Sequence, residues 1–444
     1  MPPLWPREAA ANLRLAAPLI AAQLAGVGMG TIDTVFAGRL GPQALAAVAA
    51  GINYNVLFFV FAMGVTMACS PIVAHAVGAG RPAGQSAAFV RRARRFALLL
   101  ALAWTVLENL LAPAVLRHLG LAPATADVAL AFVRRLSLSS FGFSLWFTQR
   151  FAAEGLGAAA PIMLAGLCGL AANGVLDWLL LFGHLGAPRL GAPGCGVATA
   201  VASLLMAGVL RLAFARVRRL HEVGGAAPIA SGPGIGELLH IGLPNGAILL
   251  AETGLFVVTA LTVGRFGDAT LAAYQIAINF AALAFMIPLG IGLATAVRVG
   301  HACGGGDGVA ARRAGWTGIG LGLINAGSNA ALMVLGGGAI VALYTDDAAI
   351  AAAARHFLLL AAGFQFFDGV QVTANGALRG AKDTRMPMLI TLAAYWCVGL
   401  PLGYGLAFAA GLRADGLWWG LTAGLGVAAL GLSLRWRHGS RDRR

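Results

Sequence analysis

The chain has 444 residues, of which 59% are hydrophobic and only 11% are charged, and its mean hydropathy is +0.81. Soluble globular proteins carry roughly 25% charged residues. This composition excludes a water-soluble protein and predicts an all-α protein embedded in a lipid bilayer. The formal net charge of +14 does not indicate a nucleic-acid partner, because its distribution follows the membrane topology described below.

Windows of about 20 apolar residues, the length that spans a bilayer core, recur along the whole chain. No small-residue cleavage site follows the first window, so we interpret it as a retained helix and not as a signal peptide. We therefore predict twelve transmembrane spans, numbered in chain order: 15–37, 46–74, 96–116, 128–148, 160–183, 195–215, 238–263, 271–297, 315–343, 354–378, 386–410 and 416–434.

The basic residues are distributed unevenly between the two sides of these spans. With the N-terminus inside, clusters at 91–95, 216–219 and 435–444 all fall on the inner side. This asymmetry follows the positive-inside rule and predicts that both termini are cytoplasmic. The five cysteines are scattered through apolar spans without paired spacing, so we expect neither a metal site nor disulfides from them. We interpret them as helix-packing residues.

The two halves of the chain are related by an internal repeat. The segment Gly38–Asn53 aligns without a gap with Gly264–Asn279, at an offset of 264 − 38 = 226 residues, and His75 pairs with His301. Six spans per half is an even number, so both halves enter the membrane in the same orientation, and a substrate path is expected between them. We predict an N-terminal lobe at 1–215, a cytoplasmic linker at 216–236 and a C-terminal lobe at 237–444.

Five carboxylates fall within the predicted spans, where an ionisable group is costly and by default marks an ion or substrate pathway. They are Asp33, Glu108, Asp177, Glu252 and Asp368. No Arg or Lys lies one turn away in the same span. A proton, a metal cation or another helix must therefore neutralise each of them. Glu108 lies near the outer end of its span, and we expect its carboxylate to reach towards the membrane surface.

Four polar residues of the N-terminal half are expected at a similar depth. Asp33 lies in the outer half of the first span, Asn173 and Asp177 are one turn apart in the fifth, and Thr199 lies near the outer end of the sixth. Hard oxygen donors of this kind suit Na⁺, and the carboxylates alone suit a proton. A purely structural network of interhelical hydrogen bonds explains the same placement, so depth alone leaves three interpretations open.

Two acids of the C-terminal half, Glu252 and Asp368, lie near the middle of their spans. The repeat pairs Glu252 with Gly26 and Asp33 with Thr259, so the halves share a scaffold but not their charges. We expect function where the repeat fails. His75 and His301 match across the repeat, which favours scaffold contacts.

Further candidates lie near these acids. Gln275 and Asn279 are one turn apart and could face a cavity, although Asn279 repeats Asn53. Phe364, Phe366 and Phe367 precede Asp368 and could offer a surface to a flat cation, or face lipid. Pro18 and Pro244 each remove a helical hydrogen bond and are candidate hinges.

Several longer motifs occur in the two halves of the chain. They are GTIDTVFAGRLG, NGVLDWLLLFG and GAPGCGVATA in the first half, and LLHIGLPNGAILLAETGLF, FDGVQVTANGALRGAKDTR and YWCVGLPLGYGL in the second. With these motifs the sequence resembles the multidrug and toxic compound extrusion (MATE) family, in particular its NorM-like branch. The likeness runs from about residue 8 to 435. It implies twelve helices in two six-helix lobes around a V-shaped cavity, with exchange of lipophilic, cationic drugs for Na⁺ or H⁺ by alternating access.

Motif by motif, the resemblance implies a cation site at Asp33, Asn173, Asp177 and Thr199, and a cation-coupling pair at Glu252 and Asp368. It adds Tyr395, within the motif YWCVGLPLGYGL, to Gln275, Asn279 and Phe364 as candidates for the substrate cavity. Relatives often carry Tyr where this chain has Phe364, and a His-Gln pair where it has Tyr274-Gln275. The first of these differences removes an oxygen donor, which disfavours Na⁺ binding at the C-terminal site.

The resemblance implies small organic substrates, no cofactor beyond the coupling ion, a monomer, and a bacterial-type inner membrane. Alternatives within transport are a flippase for lipid-linked precursors and an exporter of organic acids, although the acids in the spans disfavour anionic cargo. An intramembrane enzyme is disfavoured because no HExxH, paired GxxxD or Cys/His grouping occurs. A channel is disfavoured because two asymmetric acid sites in repeated halves are unusual for a gated pore.

Overall fold

The computed structural model describes residues 4–216 and 233–440, and most of the predicted linker lies outside these ranges. Within them the chain is helical and contains no strand. Two π-helical segments, Ala393–Gly399 and Gly405–Ala409, flank the short α-helix Leu400–Tyr404. The α-helices are α1 Leu4–Leu40, α2 Pro42–Thr66, α3 Cys69–Gly78, α4 Ala83–Arg117, α5 Pro123–Leu136, α6 Ser139–Gly155, α7 Ala160–Phe182, α8 Pro193–Arg216, α9 Ile235–Gly264, α10 Asp268–Gly304, α11 Gly308–Ala342, α12 Ala348–Gly380, α13 Arg385–Leu392, α14 Leu400–Tyr404 and α15 Arg413–Gly439.

Within the described ranges, eleven helical stretches are long and apolar enough to cross a membrane, and a twelfth is a bent pair. The predicted all-α, polytopic fold is thereby confirmed. The bent pair is the fourth predicted span, which breaks by 43° between α5 and α6. Thr105 on α4 donates its hydroxyl to the Ser137 carbonyl at the break, over 3.1 Å. The same carbonyl also accepts from the Ser140 backbone N–H over 3.1 Å, so the break keeps this polar group paired inside the protein.

The internal repeat is visible in the turns as well as in the sequence. Gly41 ends the connection from α1 to α2 at φ +118°, and Gly267, 226 residues later, does the same before α10 at φ +111°. Gly80 and Gly306 form a second pair at the same offset, with φ +62° and +76°. Side chains other than glycine rarely adopt these angles. The turns therefore explain why both halves retain glycine at these positions.

The described helices form two compact units. One contains Ala21–Gly246, and the other contains Met1–Ile20 together with Ala247–Arg444. We call them the N unit and the C unit. The units differ from the predicted lobes in two segments. Residues 1–20 belong to the C unit although they were predicted in the N-terminal lobe, and residues 237–246 belong to the N unit although they were predicted in the C-terminal lobe. The predicted lobe boundaries themselves stay a prediction.

The exchanged half-helices are held by glycine contacts that repeat. In the N unit, a Cβ added to Gly64 would lie 2.6 Å from the Cα of Gly246. In the C unit, a Cβ on Gly290 would lie 2.3 Å from Ile20. Gly64 and Gly290 correspond at the offset of 226, as do Ile20 and Gly246. The first half of α1 and the first half of α9 are therefore packed by equivalent contacts.

Candidate functional site

A buried polar cluster joins α1, α7 and α8 in the N unit. Helical spacing places Asn173 and Asp177 on one face of α7 and Cys195 and Thr199 on one face of α8, each pair one turn apart. Asp33 extends from α1 towards both. All five side chains are buried. The sequence predicted four of these residues at a common depth, and the structure brings all four together.

Hydrogen bonds link three helices through the Asp33 carboxylate. Asn173 Nδ2 donates to Asp33 Oδ1 over 3.1 Å, and Thr199 Oγ1 donates to Asp33 Oδ2 over 3.0 Å. Both oxygens of Asp177 and the amide oxygen of Asn173 are buried without a hydrogen-bond donor. Within the described ranges, no Lys, Arg or His forms an ion pair with either carboxylate. The cluster thus holds unpaired oxygen acceptors and two acids without a counter-charge.

Cys195 is the member of this cluster that sequence reasoning missed. Its Sγ lies 3.9 Å from the backbone oxygen of Asp33. Ligand atoms of Asp33, Asp177 and Cys195 all lie within 4.8 Å of one another. The available signal was helical spacing, because Cys195 precedes Thr199 by four residues. Its place in an acidic cluster adds to the predicted packing role, although the thiol is a soft ligand among hard oxygen donors.

A second acidic cluster lies in the C unit. Glu252 on α9 and Asp368 on α12 are close enough for their charges to repel. Tyr395 on the first π segment lies within electrostatic range of both carboxylates. Asp368 and Tyr395 are buried, whereas Glu252 is partly exposed. Asp368 Oδ1 and the Tyr395 hydroxyl have no hydrogen-bond partner. This cluster also lacks a cationic side chain among the described residues.

Aromatic rings pack beside the second cluster. Phe364 is buried, and its ring centroid lies 5.8 Å from that of Phe256 and 6.0 Å from that of Trp418. Phe366 and Phe367 are exposed instead. The three phenylalanines therefore do not form one surface. Of the residues predicted for the substrate cavity, Phe364 and Tyr395 are interior, whereas Gln275 and Asn279 are exposed.

Several positions of each cluster are filled by glycine in the other unit. At the offset of 226, Asn173 and Asp177 correspond to Gly399 and Gly403, which pack against the backbone of Gly420 on α15. Asp368 corresponds to Gly142, where an added Cβ would lie 2.1 Å from Ser203 Oγ. The two units have therefore replaced close helix packing with buried acids at different places. Packing alone does not require either cluster.

The expectation for Glu108 is wrong. Its side chain is fully buried and does not reach the membrane surface. Asn55 Nδ2 donates to Oε1 over 2.8 Å, and Trp104 Nε1 donates to Oε2 over 2.8 Å. Both oxygens are thus occupied, and the carboxylate ties α2 to α4. We interpret Glu108 as a structural acid.

We expect Glu108→Leu to lower the thermal stability of the purified protein, because two buried donors lose their acceptor at about 1–3 kcal/mol each. Glu108→Gln retains one acceptor and should cost less. Thermal unfolding in detergent measures both variants. Leu110→Ala is the matched control, since Leu110 is 70% exposed on the same helix. Equal stability of Glu108→Leu and the control would contradict the structural role.

The boundary between the units falls two residues after a proline in both halves. The N unit begins at Ala21, after Pro18, and ends at Gly246, after Pro244. Both prolines lie inside long helices, α1 and α9. Each lacks the backbone N–H that would complete the preceding helical turn. The predicted hinge positions thus coincide with the points where each helix passes from one unit to the other.

The fold and the two clusters define a class of protein, the all-helical, multi-pass membrane proteins with a duplicated set of spans. The sequence pattern of the MatE family matches residues 18–179 and again residues 244–405, at the same offset of 244 − 18 = 226. The chain therefore belongs to the MatE family, as its motifs predicted. Members of this family are transporters and not enzymes.

Individual relatives cover nearly the whole chain. A probable multidrug resistance protein NorM of Xanthomonas axonopodis pv. citri (strain 306) is 41% identical over 433 residues, which are 96% of this chain and 93% of the relative. Multidrug resistance protein NorM of Burkholderia vietnamiensis is 40% identical over 98% of this chain and 95% of its own. The crystal structure of the eukaryotic MATE transporter AtDTX14 superposes with a TM-score of 0.87 at 22% identity, over 99% of both chains.

Proposed function

We propose that this protein exports lipophilic organic cations from the cytoplasm in exchange for an entering Na⁺ or H⁺. The observation that carries the proposal is an acidic cluster in each unit, in which Asp33, Asp177 and Asp368 are buried without a cationic partner among the described residues. A buried unpaired charge is strongly unfavourable. Each cluster is therefore suited to take up a small cation, and the family and its NorM relatives indicate drug export.

In the N unit, Asp33 and Asp177 supply the negative charge, and Asn173 and Thr199 supply neutral oxygens. This donor set fits Na⁺ through its oxygens and H⁺ through its two acids. Asn173 already donates to one oxygen of Asp33 and Thr199 to the other. Both contacts orient that carboxylate. The free oxygens of Asp177 then face the entering cation.

In the C unit, Glu252 and Asp368 repel each other when both are ionised. A proton or Na⁺ relieves the repulsion, and the organic cation competes for the same negative charge. Phe364 offers no hydroxyl where relatives often carry Tyr, so we assign the substrate competition to the two acids. Exchange requires only that ion and substrate differ in affinity between the outward- and inward-facing states.

Alternating access then takes place by movement of the two units, with α1 and α9 bending after Pro18 and Pro244. The unit boundaries support these hinges. We place the protein as a monomer in a bacterial-type inner membrane, with both termini in the cytoplasm according to the positive-inside rule. Gln275 and Asn279 are exposed on α10 and remain our candidates for substrate contact.

We expect efflux of ethidium from proteoliposomes to accelerate when an inward-directed gradient of Na⁺ or of H⁺ is imposed. The two gradients are applied separately, with the membrane potential clamped, and ethidium fluorescence reports the rate. Empty liposomes provide the baseline. A passive ionic current without ethidium movement would contradict an exchanger and indicate a channel. Export of an anionic lipid precursor instead of ethidium would contradict the cationic substrate class.

A further inference from the structure

The acidic cluster of the C unit continues along α12 as a row of unpaired oxygen atoms. Asp368 Oδ1, Gln371 Oε1 and Asn375 Oδ1 accept no hydrogen bond. The three side chains are 4%, 1% and 9% exposed. Gln365, one turn before the row, also leaves its Oε1 unpaired while its Nε2 donates to the Ala281 carbonyl over 2.7 Å.

The spacing of these residues places them on one face of the helix. Positions i, i+3 and i+7 lie one above another on an α-helix. From Asp368 to Asn375 the row covers about 10 Å along the axis, and about 18 Å separate Asp368 from the end of α12 at Gly380. The row thus runs from the acid pair towards the helix end that the positive-inside rule predicts to be cytoplasmic.

All three unpaired atoms are acceptors, so only a hydrogen-bond donor or a cation satisfies them. Leaving a buried acceptor unpaired costs about 1–3 kcal/mol. Because three such acceptors lie on one face, a bound water or cation beside them would stabilise the folded protein. Buried waters commonly bind to otherwise unsatisfied polar groups of this kind. The negative charge of Asp368 at one end of the row favours a cation over an anion as the occupant.

We propose that Asp368, Gln371 and Asn375 form a hydrated row along which the coupling cation passes between the Glu252–Asp368 pair and the cytoplasmic end of α12. The proposal rests on the proposed exchange function and adds a route to it. Amide oxygens replace part of the hydration shell of Na⁺, and waters held by them carry H⁺ from one donor to the next. Both ions use the same three acceptors.

The repeat shows that this row is not part of the common scaffold. At the offset of 226, Asp368, Gln371 and Asn375 correspond to Gly142, Leu145 and Gln149 on α6. Only the last position is polar in both units. The N unit therefore packs with glycine and leucine at the positions equivalent to Asp368 and Gln371. The complete polar row occurs in the C unit and not at the equivalent positions of the N unit.

The test uses Gln371→Met and Asn375→Leu, which keep similar shapes but remove the acceptors. Purified full-length variants in proteoliposomes are assayed in two modes. The first is ethidium efflux driven by a Na⁺ gradient or by an H⁺ gradient, in separate arms. The second is ethidium exchange between the two sides without an ion gradient, which requires a folded transporter but no passage of the coupling ion.

We expect ion-driven efflux to fall at least tenfold in each variant, about 1.4 kcal/mol in the barrier, while exchange stays within about twofold of wild type. The loss is expected in every arm that drives efflux through the wild-type protein, because both ions use the same three acceptors. Gln149→Leu is the matched control, because it removes a buried, unpaired amide oxygen at the position equivalent to Asn375. It should leave ion-driven efflux unchanged.

Unchanged ion-driven efflux in both variants would overturn the row, as would an equal loss in the Gln149→Leu control. If the apolar variants also lose exchange, the variants Asn375→Ser and Gln371→Ser test the proposal in their place. A small hydroxyl leaves room for water, so these variants should keep most of the ion-driven rate. Serine variants that exchange normally but lack ion-driven efflux would also overturn it. A wild-type protein without any ion-driven efflux would instead refute the exchange function itself.

Discussion

Asp368→Asn is expected to reduce ion-driven ethidium efflux at least about 100-fold, or about 2.7 kcal/mol in the barrier, while the protein still folds. Asparagine keeps the size of the side chain but removes the charge that holds the coupling cation. The unpaired Oδ1 of Asp368 lies in the buried cluster with Glu252 and Tyr395. Glu252→Gln should have the same direction of effect, because one acid alone no longer forms the repelling pair.

Efflux from proteoliposomes under each ion gradient measures this effect, and thermal unfolding in detergent verifies folding. Asp415→Asn is a suitable control. Asp415 lies in the first turn of α15, its side chain is 38% exposed, and it pairs with His356 over 2.8 Å. Its charge is therefore partly solvated, and its removal should not alter efflux. Wild-type rates in both Asp368→Asn and Glu252→Gln would remove the C-unit cluster from the coupling mechanism.

Asp33→Asn is the corresponding change in the N unit, and we expect a similar loss of ion-driven efflux. The carboxylate of Asp33 accepts from Asn173 on one oxygen and from Thr199 on the other. An asparagine offers only one acceptor, so one of these donors loses its partner as the charge is lost. Because Asp177 remains, cation affinity is expected to fall rather than vanish, and excess Na⁺ or acid should recover part of the rate.

The control for this prediction comes from the repeat. Thr259 occupies the position equivalent to Asp33 in the C unit, and its hydroxyl donates only to the Leu255 carbonyl of its own helix, over 2.8 Å. Thr259→Val should therefore leave efflux near wild type. If Asp33→Asn transports at the wild-type rate and shows an unchanged dependence on Na⁺ and pH, the N-unit cluster is a purely structural network of interhelical hydrogen bonds.

The sequence predicted the features that depend on hydropathy and on regular helix geometry. Twelve spans follow from apolar windows, and the repeat follows from aligned polar and glycine residues. The meeting of Asp33, Asn173, Asp177 and Thr199 followed from their shared depth and from helical spacing. These features can be read along the sequence, because the bilayer sets the depth of each residue in a span and helical spacing sets the face on which it lies.

Features that depend on which helices are neighbours were not predictable in the same way. Glu108 near a span end suggested exposure, but the partners Asn55 and Trp104 bury it, and only the packing of α2 against α4 reveals them. At the break between α5 and α6, a hydroxyl from α4 contacts the Ser137 carbonyl, and the sequence of the span does not reveal this neighbour. Cys195 looked like an ordinary packing residue until Asp33 and Asp177 were placed beside it.

The exchange of half-helices between the units has a consequence for how the protein is made. Asn12 donates to Thr295 across 283 residues of sequence, and Glu8 pairs with Arg298 across 290. During synthesis, which proceeds from the N-terminus, the start of α1 therefore emerges long before the helix that it packs against. The N unit likewise lacks its last helical segment until residue 246 has been translated. Neither half of the gene encodes a complete folding unit, so a separately expressed first half is expected to need the second half in order to mature.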